Sequence, residues 1–259
     1  MNAFLLIINA DDLGMSDEIN EGIFESVSRG IVTSATLLVN PPFEADIPRF
    51  LETGVSIGLH FNLTLGNPCS PAREVLSLVD ENGGFFHDIE KVFARLNESE
   101  VEKELNLQVE WFQKKLHRKP CQLSFHKHLH ARDNRLLKII GSIGRTLRIP
   151  VRSTHESMRT FFQEIHVATN DHFIGNVQPS PYWTIERFQE QLAGLQPGMT
   201  ELMCHPGKNM KPIPGVWYQT ERNTELATLI SKEARDAVSR YELINFWDAF
   251  PGSLACNNK

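Results

Sequence analysis

The sequence lacks three features: a long apolar run, cysteines spaced for pairing and an excess of positive charge. No stretch approaches the roughly 20 consecutive apolar residues that a membrane-spanning helix needs, and the apolar run at 4–8 is too short for a secretory signal. The four cysteines are scattered without a Cys-x-x-Cys spacing, which favours a reducing compartment over a disulfide framework. These absences predict a cytoplasmic protein with no membrane partner.

The charge balance is mildly acidic. Lysine and arginine number 26 against 32 aspartates and glutamates, giving a formal net charge of -6. No basic block or stripe is present, so we expect no nucleic-acid partner. The composition, 41% hydrophobic and 22% charged, is that of an ordinary globular domain. A homodimer is left open, since twofold dimers are the commonest oligomers.

Short apolar runs alternate with amphipathic segments along the whole chain. The runs predict strands at 4–8, 33–39, 55–62, 121–125, 149–152, 200–204 and 242–246. The amphipathic segments predict helices at 16–30, 98–116, 134–147, 184–195 and 224–238. Such alternation indicates βαβ units and a parallel sheet, open or closed into a barrel. We expect one domain over 1–259, with a candidate inserted flap around 153–183.

Polar groups with catalytic potential follow five of the predicted strands. In parallel α/β folds, active sites gather at the carboxyl ends of strands. Taken singly, each group also fits a structural role, such as a turn, a buried histidine or an ion pair. Three histidines at alternating positions stand out, because they would share one face of an extended strand; such density is typical of metal binding or proton transfer. The groups are Asp11 and Asp12, His60, the cluster His126, His128 and His130, then Arg152 and His205.

Taken together, these residues predict a metal site. One carboxylate and two imidazoles form a three-ligand site with open positions for water and substrate. An unligated carboxylate could then act as general base, and a further histidine as general acid. A divalent cation would also neutralise one of the adjacent aspartates Asp11 and Asp12.

Two other classes remain open on this pattern. Two histidines and one carboxylate are also the facial triad of non-haem iron oxygenases, although alternating strands and helices argue against their usual all-β scaffold. A non-catalytic protein that binds sugar or metal is the second alternative. Retention of both Asp11 and His205 weighs against it, because binding alone requires neither a base nor an acid.

Four motifs resemble the YdjC-like carbohydrate deacetylases, a family that includes the chitooligosaccharide deacetylases. The motifs are NADDLG at 9–14, GLHFNLT at 58–64, HKHLH at 126–130 and ELMCHPG at 201–207. The resemblance implies a distorted (β/α) barrel of about seven strands, similar to that of polysaccharide deacetylases. It also implies a metal-dependent hydrolase that removes N-acetyl groups from small carbohydrates such as chito-oligosaccharides and releases acetate. An amidohydrolase acting on another small amide is the alternative within this chemistry.

The resemblance also implies a role for each candidate residue. The cofactor would be one divalent ion, magnesium or zinc; two imidazoles and one carboxylate suit zinc better, because magnesium prefers oxygen. Related proteins commonly have aspartate two residues before the first clustered histidine, where this chain has Ser124. The implied roles are metal ligand for Asp12, His60 and His126, general base for Asp11, general acid for His205, and substrate contact or support behind the ligands for His128, His130 and Arg152.

Aromatic residues in the predicted loops at 66–97, 153–183 and 208–222 have two readings. They could stack on sugar rings, or they could form the cores of the loops. The sequence does not separate these readings. The residues are Phe85, Phe86, Tyr182, Trp183, Trp217 and Tyr218.

Overall fold

A computed structural model describes residues 4–40, 42–212 and 215–251, and seven strands in them form one curled parallel sheet. The sheet order is β4-β3-β2-β1-β6-β5, and β7 pairs with the first part of β1. This half-barrel confirms the predicted α/β class and strand number. The strands are β1 (Phe4–Leu13), β2 (Ser34–Leu37), β3 (Ser56–Phe61), β4 (Leu123–Phe125), β5 (His172–Ile174), β6 (Gly198–Cys204) and β7 (Glu242–Leu243).

Helices follow most of these strands, and two of them have the predicted bounds. The long helix at 98–116 forms because Asn97 caps its first turn and apolar residues recur at every third or fourth position. None of the described helices is long and apolar enough to cross a membrane. The helices are α1 (Asp17–Ser28), α2 (Ile47–Leu51), α3 (Ile89–Arg95), α4 (Glu98–Leu116), α5 (Asn134–Leu147), α6 (Glu156–Glu164), α7 (Ile185–Ala193), α8 (Glu221–Leu229), α9 (Lys232–Val238) and α10 (Phe246–Ala249).

Two predicted elements do not form as predicted, and one strand was not predicted. The predicted strand at 149–152 is reduced to a single bridge between Val151 and Leu123. The strand that was not predicted is β5, because its three half-buried residues do not form an apolar run. The predicted helix at 224–238 is two helices, because the Ser231 hydroxyl accepts the Ala234 N–H and starts a new one. The segment 153–183 contains α6 and β5; its role as a flap and the domain limits 1–259 stay predictions.

Cysteines play no cross-linking role in the described residues. Cys69, Cys121 and Cys204 are free thiols, and burial raises the pKa of Cys121 to about 12. Cys256 lies outside the described residues.

The loop that follows β6 packs directly against α1. A Cβ atom on Gly22 would lie 2.6 Å from the amide nitrogen of Gly207, closer than real Cβ contacts. The same loop is fixed by two backbone bonds, from the Gly207 N–H to the Arg222 oxygen (3.1 Å) and from the Lys208 N–H to the Glu18 oxygen (2.8 Å). Helices α1 and α8 together therefore fix the loop that carries His205.

Gly22→Ala should lower the free energy of unfolding by about 1–3 kcal/mol, because α1 must move away from Gly207 to admit the methyl group. Urea denaturation measures this loss. The control is Gly194→Ala, where the nearest atom would be 3.7 Å from the new Cβ; its stability should change by less than about 0.5 kcal/mol. Equal stability of the two variants would contradict the close packing.

Candidate metal centre and active site

Asp12, His60 and His126 converge at the carboxyl ends of β1, β3 and β4. Asp12 Oδ1 lies 3.0 Å from His126 Nδ1 and 3.5 Å from His60 Nε2. One donor atom from each of the three residues lies within 4.8 Å of the others, and all three side chains are buried. The structure thus brings together the three predicted ligands.

An irregularity in β1 turns both aspartates to the same side. The register with β2 shifts between Ala10 and Leu13, and Asp12 has a φ of 71°. In a regular strand, adjacent side chains point to opposite faces; the shift removes that constraint. Asp11 Oδ2 lies 3.9 Å from His60 Nε2, so both carboxylates face one imidazole. Such left-handed residues in a strand are typical of functional sites.

The donor set fits a divalent transition metal. One carboxylate oxygen and two imidazole nitrogens are common zinc ligands. When each metal–ligand bond is about 2.0–2.2 Å long, the ligand atoms of a tetrahedral site lie roughly 3.3–3.5 Å from one another. The 3.5 Å spacing from Asp12 Oδ1 to His60 lies at the upper end of that range, and the 3.0 Å spacing to His126 is slightly shorter than the range. Three carboxylates, those of Asp11, Asp12 and Glu201, are hydrogen-bonded here to two guanidiniums, those of Arg152 and Arg222. Together these charged groups carry a net charge of minus one, which favours the binding of a cation.

Asp11 is held by Arg152 and by two neutral donors. Its Oδ1 accepts from Arg152 Nη2 (2.8 Å), Asn9 Nδ2 (2.8 Å) and Thr36 Oγ1 (2.7 Å), whereas among the described residues Oδ2 accepts from Arg152 Nη1 alone (2.7 Å). Burial alone would raise the pKa of Asp11, but Arg152 and then His60 hold it well below its usual value. Asp11 is therefore ionised, and Oδ2 keeps room to accept a further proton donor.

Arg152 lies behind Asp11, and its side chain is fully buried. Its Nε and Nη2 also donate to Glu201 Oε1, at 2.9 and 2.7 Å, and Gln122 Nε2 donates to the same oxygen at 2.9 Å. One guanidinium thus joins two carboxylates. Sequence reasoning missed Glu201, because an acid inside the apolar strand TELMC gives no sign of its distant partner.

Arg222 binds the second oxygen of Asp12. Its Nη2 donates to Asp12 Oδ2 at 2.6 Å, and its Nε donates to the Tyr218 carbonyl oxygen at 2.9 Å. Burial alone would raise the pKa of Asp12, but Arg222 and then His126 hold it well below its usual value. Because Arg222 occupies Oδ2, Oδ1 is the oxygen that faces the histidines. Sequence reasoning missed Arg222, which lies two residues before the predicted start of its helix.

The histidine cluster does not lie on an extended strand, contrary to the prediction. Residues His126–Ala131 form a 3₁₀ turn in which Lys127 and His128 have φ values of 56° and 50°. His130 Nε2 lies 3.1 Å from the Arg152 carbonyl oxygen, and burial lowers the pKa of His130 to about 3. The neutral His130 ring can therefore donate to that oxygen. His128 lines the cavity, with its ring edge-on to Phe173.

His205 follows β6 and lines the same cavity as the three candidate ligands. Its backbone N–H donates to Glu225 Oε2 at 2.5 Å, and its ring packs edge-on against Tyr218, with centroids 5.7 Å apart. Burial, and then the Arg222 guanidinium, lower the pKa of His205 to about 4. At neutral pH the imidazole is thus uncharged. Burial also raises the pKa of Glu225 to about 7.

One cavity of about 960 Å³ is lined by Asp11, by the candidate ligands Asp12, His60 and His126, and by His128, His205 and Arg222. The lining also includes aromatic and apolar side chains, among them Phe173, Tyr182 and Trp217. A volume near 1,000 Å³ is at the upper end for small-molecule sites.

Ser124 supports His60 from behind. Its Oγ lies 2.7 Å from His60 Nδ1, which leaves Nε2 directed at the aspartates. Ser124→Ala should weaken metal binding about 10- to 100-fold, because such partners fix the tautomer and orientation of a ligating histidine. Competition with a coloured chelator measures the affinity. Ser34→Ala, at another buried serine of the sheet, is the matched control; an equal effect of both variants would exclude this role.

Comparison with known proteins identifies the family. The YdjC-like protein family matches residues 5–240. A carbohydrate deacetylase of Enterococcus faecalis V583 is 30% identical over 90% of this chain and 92% of its own. A chitooligosaccharide deacetylase of Yersinia pestis is 28% identical over 94% and 98% of the two chains.

Solved structures share this fold. A protein of E. faecalis V583, provisionally described as a cellobiose-phosphate cleavage protein, superposes with a TM-score of 0.85 at 27% identity, covering 95% of this chain and 99% of its own. The Xyl-CE4 domain of a termite-gut xylanase has the same fold at 10% identity, with a TM-score of 0.54 over 97% and 91% of the chains. The family match over residues 5–240 covers almost all of the described sheet, and this chain therefore belongs to the YdjC-like family.

Proposed function

We propose that the protein is a metal-dependent hydrolase that removes N-acetyl groups from small carbohydrates such as chito-oligosaccharides, releasing acetate and a free amino sugar. The observation that carries this proposal is the convergence of Asp12, His60 and His126, beside Asp11 and His205, in one cavity. The names of the carbohydrate and chitooligosaccharide deacetylases that resemble this chain support the substrate class.

Asp12, His60 and His126 would hold the divalent ion, through Asp12 Oδ1 and one nitrogen of each imidazole. A bound ion supplies Lewis-acid polarisation of the acetamide carbonyl and lowers the pKa of water. The nitrogen donors favour zinc over magnesium.

Asp11 would act as the general base. Its Oδ2 takes a proton from water as the water oxygen attacks the acetyl carbon, and Arg152 keeps the carboxylate in one orientation during this step. The three donors on Oδ1 leave Oδ2 as the less saturated oxygen. The low pKa of Asp11 keeps its carboxylate ionised, so it enters the reaction in the proton-accepting form.

His205 would act as the general acid for the departing nitrogen. Cleavage of the C–N bond requires one proton on the amine, because an amide anion is too basic to leave. The pKa of about 4 leaves His205 uncharged before the reaction, so this role requires the imidazole to take up a proton during turnover. Asp11 and Asp12 both favour the imidazolium electrostatically.

Acetate release from N,N′-diacetylchitobiose tests this proposal. Protein reconstituted with zinc or magnesium should release acetate and free amine in equal amounts; a chelator should stop the reaction and added metal should restore it. Absence of acetate from a broad panel of acetylated sugars and amides would refute the proposal. Oxygen consumption without acetate would favour the oxygenase alternative, and saturable sugar binding without products a binding protein.

A further inference from the structure

We propose that Trp217 forms a platform for a second sugar ring, so that the cavity takes acetylated oligosaccharides in preference to a single acetylated sugar. This inference rests on the proposed function. It concerns a part of the cavity lining that has no part in the metal centre.

Trp217 differs from the other five aromatic residues of the predicted loops. Its relative exposure is 57%, and among the exposed large apolar side chains of the described residues it alone lines the cavity. Trp183 is fully buried and its Nε1–H donates to the Met203 carbonyl oxygen at 2.7 Å. Phe85 and Tyr218 are also buried. Phe86 and Tyr182 are partly buried and pack against the hydrophobic core. Packing therefore accounts, fully or in part, for the other five aromatics, whereas the exposed Trp217 side chain is not explained in this way.

The exposed indole stands on a fixed base. The Tyr218 hydroxyl donates to Glu225 Oε1 at 2.5 Å and accepts the Tyr182 N–H at 2.9 Å. The Trp217 ring meets the Tyr218 ring edge-on, with centroids 5.8 Å apart. A platform held in this way loses little conformational entropy when a ligand covers it.

The position of Trp217 relative to the chemistry points to a neighbouring sugar unit. Tyr218 contacts both Trp217 and His205 through its ring, so the indole lies two ring contacts from the proposed general acid. A platform at that position would contact a sugar unit next to the one that reacts. The uncharged C–H face of a pyranose suits an exposed indole, which combines a large apolar surface with few rotatable bonds. A cavity of about 960 Å³ has room for more than one ring.

The test compares acetate release from N-acetylglucosamine and N,N′-diacetylchitobiose by wild type, Trp217→Ala, Trp217→Phe and Trp111→Ala. Trp111 lies on α4, is 45% exposed and does not line the cavity. Trp217→Ala should reduce the preference for the disaccharide in kcat/KM about tenfold, chiefly through KM. Trp217→Phe should keep most of the preference, and Trp111→Ala should match wild type. An unchanged preference in Trp217→Ala, or an equal loss in Trp111→Ala, would overturn the platform.

Binding separates this inference from the proposed function. Titration calorimetry of N,N′-diacetylchitobiose against Asp11→Asn, with and without Trp217→Ala, does not depend on turnover. Weaker binding by about tenfold with Trp217→Ala supports the platform even if no acetate is formed; equal binding refutes it. If the wild type releases no acetate, the proposed hydrolase function is refuted but the sugar platform is not.

Discussion

Asp11→Asn should keep the metal but lose about 10³-fold in kcat, whereas Asp12→Asn should lose metal and activity together. The two variants should differ because the Asp12 carboxylate faces the candidate ligand histidines, whereas the Asp11 carboxylate has a free position for a proton donor. Asp12 Oδ1 points at His60 and His126, whereas Asp11 Oδ2 accepts one hydrogen bond, from Arg152, within the part of the chain that the structure describes. An amide in place of the Asp11 carboxylate cannot take a proton from water. Metal content by elemental analysis, measured beside kcat, separates the two roles.

The two variants control each other, since they change adjacent residues by the same few atoms. Urea denaturation of both excludes loss of folding as the cause. If Asp11→Asn lost the metal while Asp12→Asn retained it, the assigned roles would be exchanged. Loss of metal from both would show that the two carboxylates bind the ion jointly.

Arg152→Met should lower the free energy of unfolding by about 3–5 kcal/mol, because it leaves two buried carboxylates without their shared cation. Arg152 contacts Asp11 with two nitrogens and Glu201 with two. Arg152→Lys should recover only part of the loss, since an ammonium cannot make this planar fork. Thermal and urea unfolding of the metal-free protein measure the effect.

A surface pair provides the matched control. Arg29 bonds Glu25 at 2.7 Å, but its side chain is 71% exposed; Arg29→Met should cost less than about 1 kcal/mol. Adding Glu201→Gln to Arg152→Met should restore part of the stability, because one unpaired charge is removed. A loss of similar size in Arg29→Met and Arg152→Met would show that burial of the carboxylates does not matter.

Local patterns predicted the parts of the fold that local forces determine. Helices α4 and α5 have the predicted bounds because their caps, Asn97 and Asp133, and their apolar spacing lie within one continuous segment. Strand β5 was missed because three half-buried residues carry no periodic signal. Its pairing with β6 is a long-range contact that no local pattern reveals.

The candidate ligands were predictable, but the groups that orient them were not. Asp12, His60 and His126 lie in recognisable motifs, each at the end of an apolar run. Arg222 reaches Asp12 across 210 residues of sequence, and nothing around Arg222 indicates this partner. Likewise, the register shift at Asp12 depends on the pairing of β1 with β2. A sequence pattern names donor types, whereas their orientation depends on tertiary contacts.

The most direct test of metal-dependent hydrolysis at this site follows the oxygen atom of water into the acetate product. Metal-reconstituted protein is incubated with N,N′-diacetylchitobiose in ¹⁸O-labelled water, and the acetate and free amine are quantified by mass spectrometry. Metal-dependent hydrolysis predicts equal amounts of acetate and amine, with one ¹⁸O atom in each newly formed acetate. It also predicts that no product forms after treatment with a chelator. Absence of acetate, or release that the chelator does not affect, would contradict metal-dependent hydrolysis at this site.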